Sequence, residues 1–469
     1  MSKIKKNIFV ENAPIVDISS EGKSVAKVEG MVIFVDGGVP GDVADVLITR
    51  KKNNYAEGHI VTIHKPSDSR IDPKCEHFGY CGGCKWQHMN YETQLVFKQK
   101  TVADALTRIG HLDISTLKPI IANKESYYYR NKLEFSFSDK KWLTNEEVKS
   151  GLEIDNRNAL GFHIPKMFDK ILDIKNCYLQ EEPSNTIRNE IRDFAIKNDL
   201  TFFNVRNKVG LLRTLMIRSS STGELMVLIQ FFDREPENIK LLLNHLKTTF
   251  PQITSLQYVV NQKGNDTLQD LDIITFYGRD HIFEEMEGLK FKISAKSFYQ
   301  TNSVQAYELY KITRDLCELT GNEVVYDLYT GTGTIANFIA KRAKKVVGIE
   351  YVADAAIDAK ANSEFNQIAN TSFFAGDMKD VLNAEFISIH GKPDVIITDP
   401  PRAGMHEDVV AVILKAAPQK IVYVSCNPAT QARDLEMMIG HYDIKNIQPV
   451  DMFPQTAHVE NVVLLIKKP

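Results

Sequence analysis

The sequence has no run of about 18 apolar residues, the length that a membrane-crossing helix needs, so no membrane partner is expected. Its first residues, Met1-Ser2-Lys3-Ile4-Lys5-Lys6, are basic but lead into no apolar stretch of the kind that makes a secretory signal. Six cysteines in 469 residues are too few for a disulfide scaffold, so a reducing cytoplasm is the expected location. No internal repeat and no low-complexity segment is visible, and 43% hydrophobic with 25% charged residues is a globular balance. The length suggests about three domains, and a monomer is expected. Excess charge of either sign is also missing: 57 Lys and Arg against 60 Asp and Glu leave −3, an average that argues against a polyanion partner.

That average hides an asymmetry. Residues 51–250 hold 30 basic against 25 acidic side chains, whereas residues 301–469 hold 16 against 21. A nucleic-acid surface, if there is one, belongs in the N-terminal two-thirds.

Residues 1–65 read as short strands. Val25, Val28, Met31, Ile33 and Val35 lie in β-branched runs, followed by the turn Asp36-Gly37-Gly38-Val39-Pro40-Gly41-Asp42 and two further runs, which predicts a small closed barrel. A helix is expected over 91–110 from the spacing of Leu95, Val96, Val102, Ala103, Leu106 and Ile109. Residues 66–290 mix strands (133–137, 225–231) with helices (184–198, 236–249) in an α+β pattern whose topology cannot be read locally. From 291 to 469 strands and helices alternate, the signature of a parallel, doubly wound sheet with its site at the strand carboxyl ends.

Candidate chemistry sits at those ends. Asp327-Leu328-Tyr329-Thr330-Gly331-Thr332-Gly333-Thr334 links a strand to a helix expected over 334–343, and its glycines allow close backbone approach to a ligand. Alone it fits a dinucleotide or S-adenosylmethionine. Glu350 ends the next strand, where a carboxylate can bind ribose hydroxyls, and Asp377 ends a third, where it can meet an adenine edge. Asp399-Pro400-Pro401-Arg402 fixes a rigid backbone where substrate would meet cofactor. Arg402 replaces the aromatic of the related tetrad in amino-group methylases, which leaves carbon methylation open. Ser425-Cys426-Asn427-Pro428 then offers a thiol in the same layer, in place of an ordinary buried cysteine. A thiolate added at carbon 6 of uracil makes carbon 5 nucleophilic, and a base must later remove the carbon 5 proton. His458 and Glu460, just before the strand 461–466, fit that base equally well. Separately, Cys75-x5-Cys81-x2-Cys84 lies in a glycine-rich loop and lacks a fourth ligand. Cys177 suits that place better than Cys317, which lies on an apolar helix face, and zinc and a [4Fe–4S] cluster are both open.

Together these motifs resemble the 23S rRNA (uracil-5-)-methyltransferases along essentially the whole chain. The resemblance implies an OB-like TRAM barrel that binds RNA (1–65), a central α+β domain with an iron–sulfur cluster (66–290) and a Rossmann-like, S-adenosylmethionine-dependent catalytic domain (291–469). It implies Cys426 as nucleophile and Glu460, rather than His458, as base. It also implies cofactor contacts at Gln300, Tyr329, Thr334, Glu350, Asp377 and Asp399, and a [4Fe–4S] cluster on Cys75, Cys81, Cys84 and Cys177. Tyr129-Arg130-Asn131-Lys132 looks like the family's basic element near the RNA, and Phe298 is a candidate to stack on it. The expected reaction is 5-methyluridine formation in 23S rRNA through a covalent Cys–uracil intermediate. The Thr-Gly-Thr-Gly-Thr form of the cofactor turn departs from other members at the Thr334 contact. Three rival readings stand beside it. They are the same chemistry on tRNA, a nicotinamide-dependent dehydrogenase that leaves Cys426 idle, and a non-catalytic RNA-binding or iron–sulfur sensor protein in which Cys426 and Glu460 are dispensable.

Overall fold

A computed structural model describes residues 8–151 and 153–469; the basic run Met1–Lys6 lies outside them. Strands β1 (Ile8–Ile18), β2 (Ser24–Val28), β3 (Met31–Asp36), β4 (Val43–Lys51) and β5 (Tyr55–Lys65) close a barrel in the order β1-β2-β3-β5-β4, with β3 and β5 parallel. The expected small closed barrel is thus present. Alternation decides it: Ala13, Ile15, Ala26, Ile33, Val35, Val46 and Ala56 face inward and fill it.

A loop carrying three cysteines leads into α1 (Tyr91–Arg108), which Asn90 caps by accepting from Thr93 N. Its apolar face (Val102, Ala105, Leu106) packs into the same core as α11 (Pro428–Met438), far along the chain. The middle of the chain forms one seven-stranded mixed sheet. Its strands are β6 (Lys132–Ser138), β7 (Ala159–Ile164), β8 (Met167–Asp173), β9 (Leu212–Ser219), β10 (Leu225–Phe231), β11 (Ser255–Val260) and β12 (Ile274–Gly278), ordered β12-β11-β10-β9-β6-β7-β8. Helices α2 (Asn145–Lys149), α3 (Ser184–Lys197) and α4 (Pro236–Thr249) accompany it. A hairpin, β13 (His281–Met286) and β14 (Leu289–Ser294), joins this sheet to the next through a shared core that runs from Met226 through Phe291 to Val422.

The third sheet has the order β17-β16-β15-β18-β19-β21-β20. Its strands β15 (Val324–Leu328), β16 (Lys345–Glu350), β17 (Thr371–Ala375), β18 (Val395–Thr398) and β19 (Lys420–Ser425) are parallel, and β21 (Glu460–Lys467) runs antiparallel between β19 and β20 (Tyr442–Val450). The parallel strands are continuous apolar runs because helices cover both faces. These helices are α5 (Ser303–Cys317), α6 (Thr334–Ile339), α7 (Ala353–Phe365), α8 (Met378–Val381), α9 (Ala384–His390), α10 (Glu407–Ala416) and α11. The helix expected over 334–343 is shorter: after Ile339 the chain tightens into a 3₁₀ turn over Ala340–Arg342. Strand order reverses between β15 and β18, the crevice where doubly wound sheets bind ligands. Among the described residues no helix is long and apolar enough to cross a membrane.

All three parts meet at the loop 451–459 between β20 and β21. The Lys98 ammonium of α1, fully buried, pairs with Asp451 and donates to Phe453 O at 2.9 Å. Tyr91 OH donates to the other Asp451 oxygen at 2.8 Å. Gln94 Oε1 accepts from Gln455 N, and Lys85 N and Trp86 N both donate to Gln455 O. The Trp86 indole in turn reaches Gly22 O of the barrel at 3.0 Å. Burial pulls the Lys98 pKa down and Asp451 opposes that pull. Lys98→Met leaves Asp451 buried without its cation and is expected to cost about 3–5 kcal/mol in the first urea transition. The double variant Lys98→Met/Asp451→Asn should recover much of the loss; an unchanged midpoint for the single variant would contradict the clamp.

Candidate active site and cysteine cavity

The carboxyl ends of β15, β16, β18 and β19 carry one acid or thiol layer. After β15 the chain turns through Tyr329 (φ 61°), Gly331 (φ 57°) and Gly333 (φ 72°), left-handed conformations that favour glycine. A Cβ on Gly333 would lie 2.8 Å from Ala359 Cβ, whereas one on Gly331 would meet nothing within 4 Å. The first glycine therefore faces open space and the second permits close helix packing. Asp327, 1% exposed, organises the turn by accepting from Thr330 Oγ1 (2.6 Å) and Ala336 N (3.1 Å); burial raises its pKa to about 7. Glu350 accepts from Gly331 N and Val352 N, both at 2.9 Å, which fixes its carboxylate beside the turn. Thr334 is buried with its hydroxyl 3.3 Å from that of Thr332. The Tyr329 hydroxyl is raised to about 12 by burial and then by Asp377, Asp434 and Glu350. Asp377 caps α8 by accepting from Lys379 N. Gln300 lies in the loop before α5. Its carbonyl accepts from Asn131 Nδ2 at 2.9 Å, and Asn302 of the same loop donates to Met452 O. Phe298 in this loop is 69% exposed.

Cys426, Glu460, Asp399 and Arg402 form one electrostatic group. Burial pushes the Cys426 thiol up to about 12; Glu460 and then Asp399 add to the shift, and Arg402 opposes it. Glu460 opens β21, one residue earlier than the strand read from sequence, and is 4% exposed. Burial first and Asp399 second raise it to about 8, again with Arg402 opposing. Asp399 itself is raised to about 7 by burial and Asp327. His458 moves the other way: partial desolvation, then Arg402, Lys98, Lys85 and Arg130, pull its imidazole down to about 4. Its Nδ1 lies 3.1 Å from Arg402 Nη2. The two residues that sequence leaves tied are therefore different in kind. Glu460 holds a proton affinity near neutrality, and His458 is a neutral ring bound to a guanidinium.

Sequence reading missed three supports. Tyr310 of α5 is buried, and burial first, then Asp399, Asp327 and Glu460, raise its hydroxyl. Asn427 caps α11 through Ala429 N and its Nδ2 donates to Arg402 O at 2.9 Å, which ties the two proline motifs together. Asp434 accepts from Met405 N and from Tyr423 OH. Only the Asn-Pro capping signal of Asn427 was visible in sequence. A groove of about 720 Å³ opens over Cys426, lined by Arg402 and His458, by Lys100 and Arg108 of α1, by Lys85, and by Ser19 and Phe34 of the barrel.

The second cavity, about 310 Å³, is lined by Cys75, Cys81, Cys84 and Cys177 together with His77 and Arg130. All four thiols are free. Burial raises Cys81 and Cys84 to about 12, and the other thiols add to both shifts. Cys177 is raised by burial, while Arg188 and Arg130 act the other way. Among the described residues no group of three or more His, Cys, Asp or Glu is arranged to hold a metal ion.

Residues 252–468 match the family described as tRNA (Uracil-5-)-methyltransferase, and residues 10–61 match the TRAM domain. An RNA methyltransferase of Bacteroides thetaiotaomicron, described as uncharacterized, is 58% identical over 451 residues, 96% of this chain and 99% of that one. One from Porphyromonas gingivalis is 54% identical over 463 residues, 97% and 99% of the two chains. The solved Pyrococcus abyssi tRNA (uracil-54, C5)-methyltransferase, in complex with S-adenosyl-L-homocysteine, is 26% identical with a TM-score of 0.75 over 97% of this chain and 100% of that one.

Burial of Glu460 has a consequence for stability. A carboxyl raised from an ordinary 4.5 to about 8 costs nothing while protonated in both states; the cost grows as pH rises from 4.5 and is complete above 8. Glu460→Gln, measured by thermal unfolding against pH, should therefore match the parent below pH 4.5 and exceed it increasingly up to pH 8. A constant difference across that window would contradict the assignment.

Proposed function

This chain belongs to the RNA (uracil-5-)-methyltransferase family, and from that premise we propose that it forms 5-methyluridine in 23S rRNA through a covalent Cys426–uracil adduct. The observation that carries the mechanism is the shared electrostatic environment of Cys426, Glu460 and Asp399 under Arg402. In this reading residues 1–65 are the RNA-binding barrel, 66–290 the cysteine-bearing middle and 291–469 the catalytic part.

S-adenosylmethionine supplies an electrophilic methyl on a sulfonium. The glycine turn with Tyr329 and Thr334 would hold its amino-acid end and the Glu350 carboxylate its ribose, with Asp377 and Gln300 at its borders and Asp399 facing the reacting end. The open space at Gly331 fits such a ligand. The target uridine leaves its stack, at a cost of a few kcal/mol that is lowest in single-stranded loops. Phe298 is exposed where it could stack on the RNA. Arg402 lowers the Cys426 thiol, against the larger effects of burial, Glu460 and Asp399. The Cys426 thiolate forms the bond to carbon 6, and the electron pair moves to carbon 5 as an enolate. Carbon 5 then takes the methyl while the donor's carbon–sulfur bond breaks. Glu460 removes the carbon 5 proton, and the returning electron pair expels the Cys426 thiolate. With its proton affinity near pH 8, Glu460 is poised to accept that proton, whereas His458 at about 4 is too weak a base.

Cys75, Cys81, Cys84 and Cys177 line one cavity and would hold a [4Fe–4S] cluster. They are not gathered on one point as a single zinc ion requires. Arg188 and Arg130 would offset the charge of Cys177 on binding the cluster. The role is structural, because the methyl transfer moves no electrons to or from an outside carrier.

A second reading, the same chemistry on tRNA, is favoured by the named substrate of the Pyrococcus abyssi enzyme. Transfer of labelled methyl to purified 23S rRNA against bulk tRNA separates the two. For the mechanism, Cys426→Ala should abolish methylation while still binding S-adenosylmethionine; full methylation by this variant would overturn the nucleophile. Glu460→Gln should trap a protein–RNA adduct that survives a denaturing gel, and a gel without one would remove Glu460 from the base role. In the parent enzyme kcat/KM should rise with pH through about 8, since only the ionised Glu460 accepts a proton, and keep rising above it because the Cys426 thiol ionises higher still.

A further inference from the structure

We propose that Lys74, Tyr127, Tyr128 and Tyr178 form a subsite for a single-stranded nucleotide flanking the target uridine, with its base on a tyrosine ring and its phosphate on Lys74; the proposal rests on the reading of this chain as an RNA uridine methylase. The Lys74 ammonium lies 5.0 Å from the ring centroid of Tyr127, 4.8 Å from that of Tyr128 and 4.9 Å from that of Tyr178. Tyr178 meets the other two rings edge-on, at 6.5 and 6.1 Å. Among the described residues Lys74 has no carboxylate partner, and none of the three ring hydroxyls is bonded to protein.

Two further observations point to an RNA strand. Tyr128 is 40% exposed and has φ 56°, an unfavourable conformation for a bulky aromatic residue. Its N–H donates to Tyr178 O at 2.7 Å, and the Arg130 N–H donates to Leu179 O at 2.7 Å, so the backbone holds the ring outward. From there a track of alternating cations and rings leads to the nucleophile. The Arg130 guanidinium lies 5.5 Å from the Phe453 ring and donates to Thr301 Oγ1. Phe453 meets His458 edge-on at 6.5 Å, His458 binds Arg402, and the Arg402 carbonyl is held by Asn427, next to Cys426. Ring faces interleaved with positive charge are how proteins hold single strands without reading their sequence, because every base presents a π-face. A lysine already resting on three rings can swing to a phosphate and leave a ring face free for a base.

The test uses the full chain with its iron content measured, and two uridine oligomers as probes. One is short enough to fill only the groove over Cys426 and the other extends on both flanks. Tyr128→Ala should weaken binding of the longer oligomer roughly tenfold or more in fluorescence anisotropy and leave the shorter one unchanged. Lys74→Ala should weaken the longer oligomer and reduce its salt dependence by about one phosphate contact. Tyr128→Phe, which keeps the ring, should behave as the parent, and all three variants should retain the parent's iron content. Equal affinity of Tyr128→Ala and parent for the longer oligomer, or equal losses on both lengths, would overturn the subsite. Parent enzyme that binds and methylates RNA while Tyr128→Ala is indistinguishable from it would sink the subsite alone. Parent enzyme that binds neither oligomer would sink the proposed function and the subsite together.

Discussion

The structure depends on how the loop 451–459 is held. This loop carries His458 and delivers Glu460 into β21, and Phe453 N, Thr456 Oγ1 and His458 N donate within it to Asp451, Phe453 O and Thr456 Oγ1. The rest of the chain grips it as well: Lys98 buried against Asp451, Gln94 against Gln455, and the backbone of Lys85 and Trp86 on the Gln455 carbonyl. A buried ion pair adds little net stability compared with apolar packing, but it is expensive to leave half-made. It therefore acts as a register pin. The loop that leads into Glu460 is thereby tied to α1, the cysteine loop and the barrel. The cysteine loop gains a function from this even without redox chemistry. It ends at Cys84, next to the two residues that hold the Gln455 carbonyl.

In the proposed reaction, burial prepares Glu460 as the general base. Four acids and thiols close together at the carboxyl ends of a parallel sheet cannot all be ionised in a low-dielectric site. Asp327 and Asp399 near 7, Glu460 near 8 and Cys426 near 12 are the outcome. Arg402 is the cation that partly relieves Cys426 and Glu460, and it is held in turn by Asn427. Net charge reflects the same division of labour. The basic excess of residues 51–250 includes Lys74, Arg130 and Lys132, while the acidic excess of residues 301–469 includes Glu350, Asp377, Asp399 and Glu460.

Much of this was legible in the sequence wherever the signal is local. The barrel strands alternate, the parallel strands Val324–Leu328 and Val395–Thr398 are continuous apolar runs, and the glycine turn between β15 and α6 marks the ligand crevice. The order of the middle sheet was not legible, since β6 pairs with β9 across some eighty residues and nothing in either strand names its partner. The same limit hid the contact between Arg402 and His458, the grip of Gln94 on Gln455 and the gathering of Lys74 with three tyrosines from two distant segments. The tie between His458 and Glu460 could not be broken from residue type either. What separates them is the sign of one effect: burial, helped by Asp399, raises a carboxyl, and burial, helped by Arg402 and other cations, lowers an imidazole.

Methylation of carbon 5 of a uridine by this layer is tested most directly in cells. Mass-spectrometric mapping of 5-methyluridine should be done in rRNA and tRNA from cells lacking the protein, with either the parent or the Cys426→Ala chain restored. A 5-methyluridine in 23S rRNA should disappear with the protein, return with the parent chain and not return with Cys426→Ala. An unchanged 5-methyluridine content in both RNA classes would contradict it, as would full restoration by Cys426→Ala.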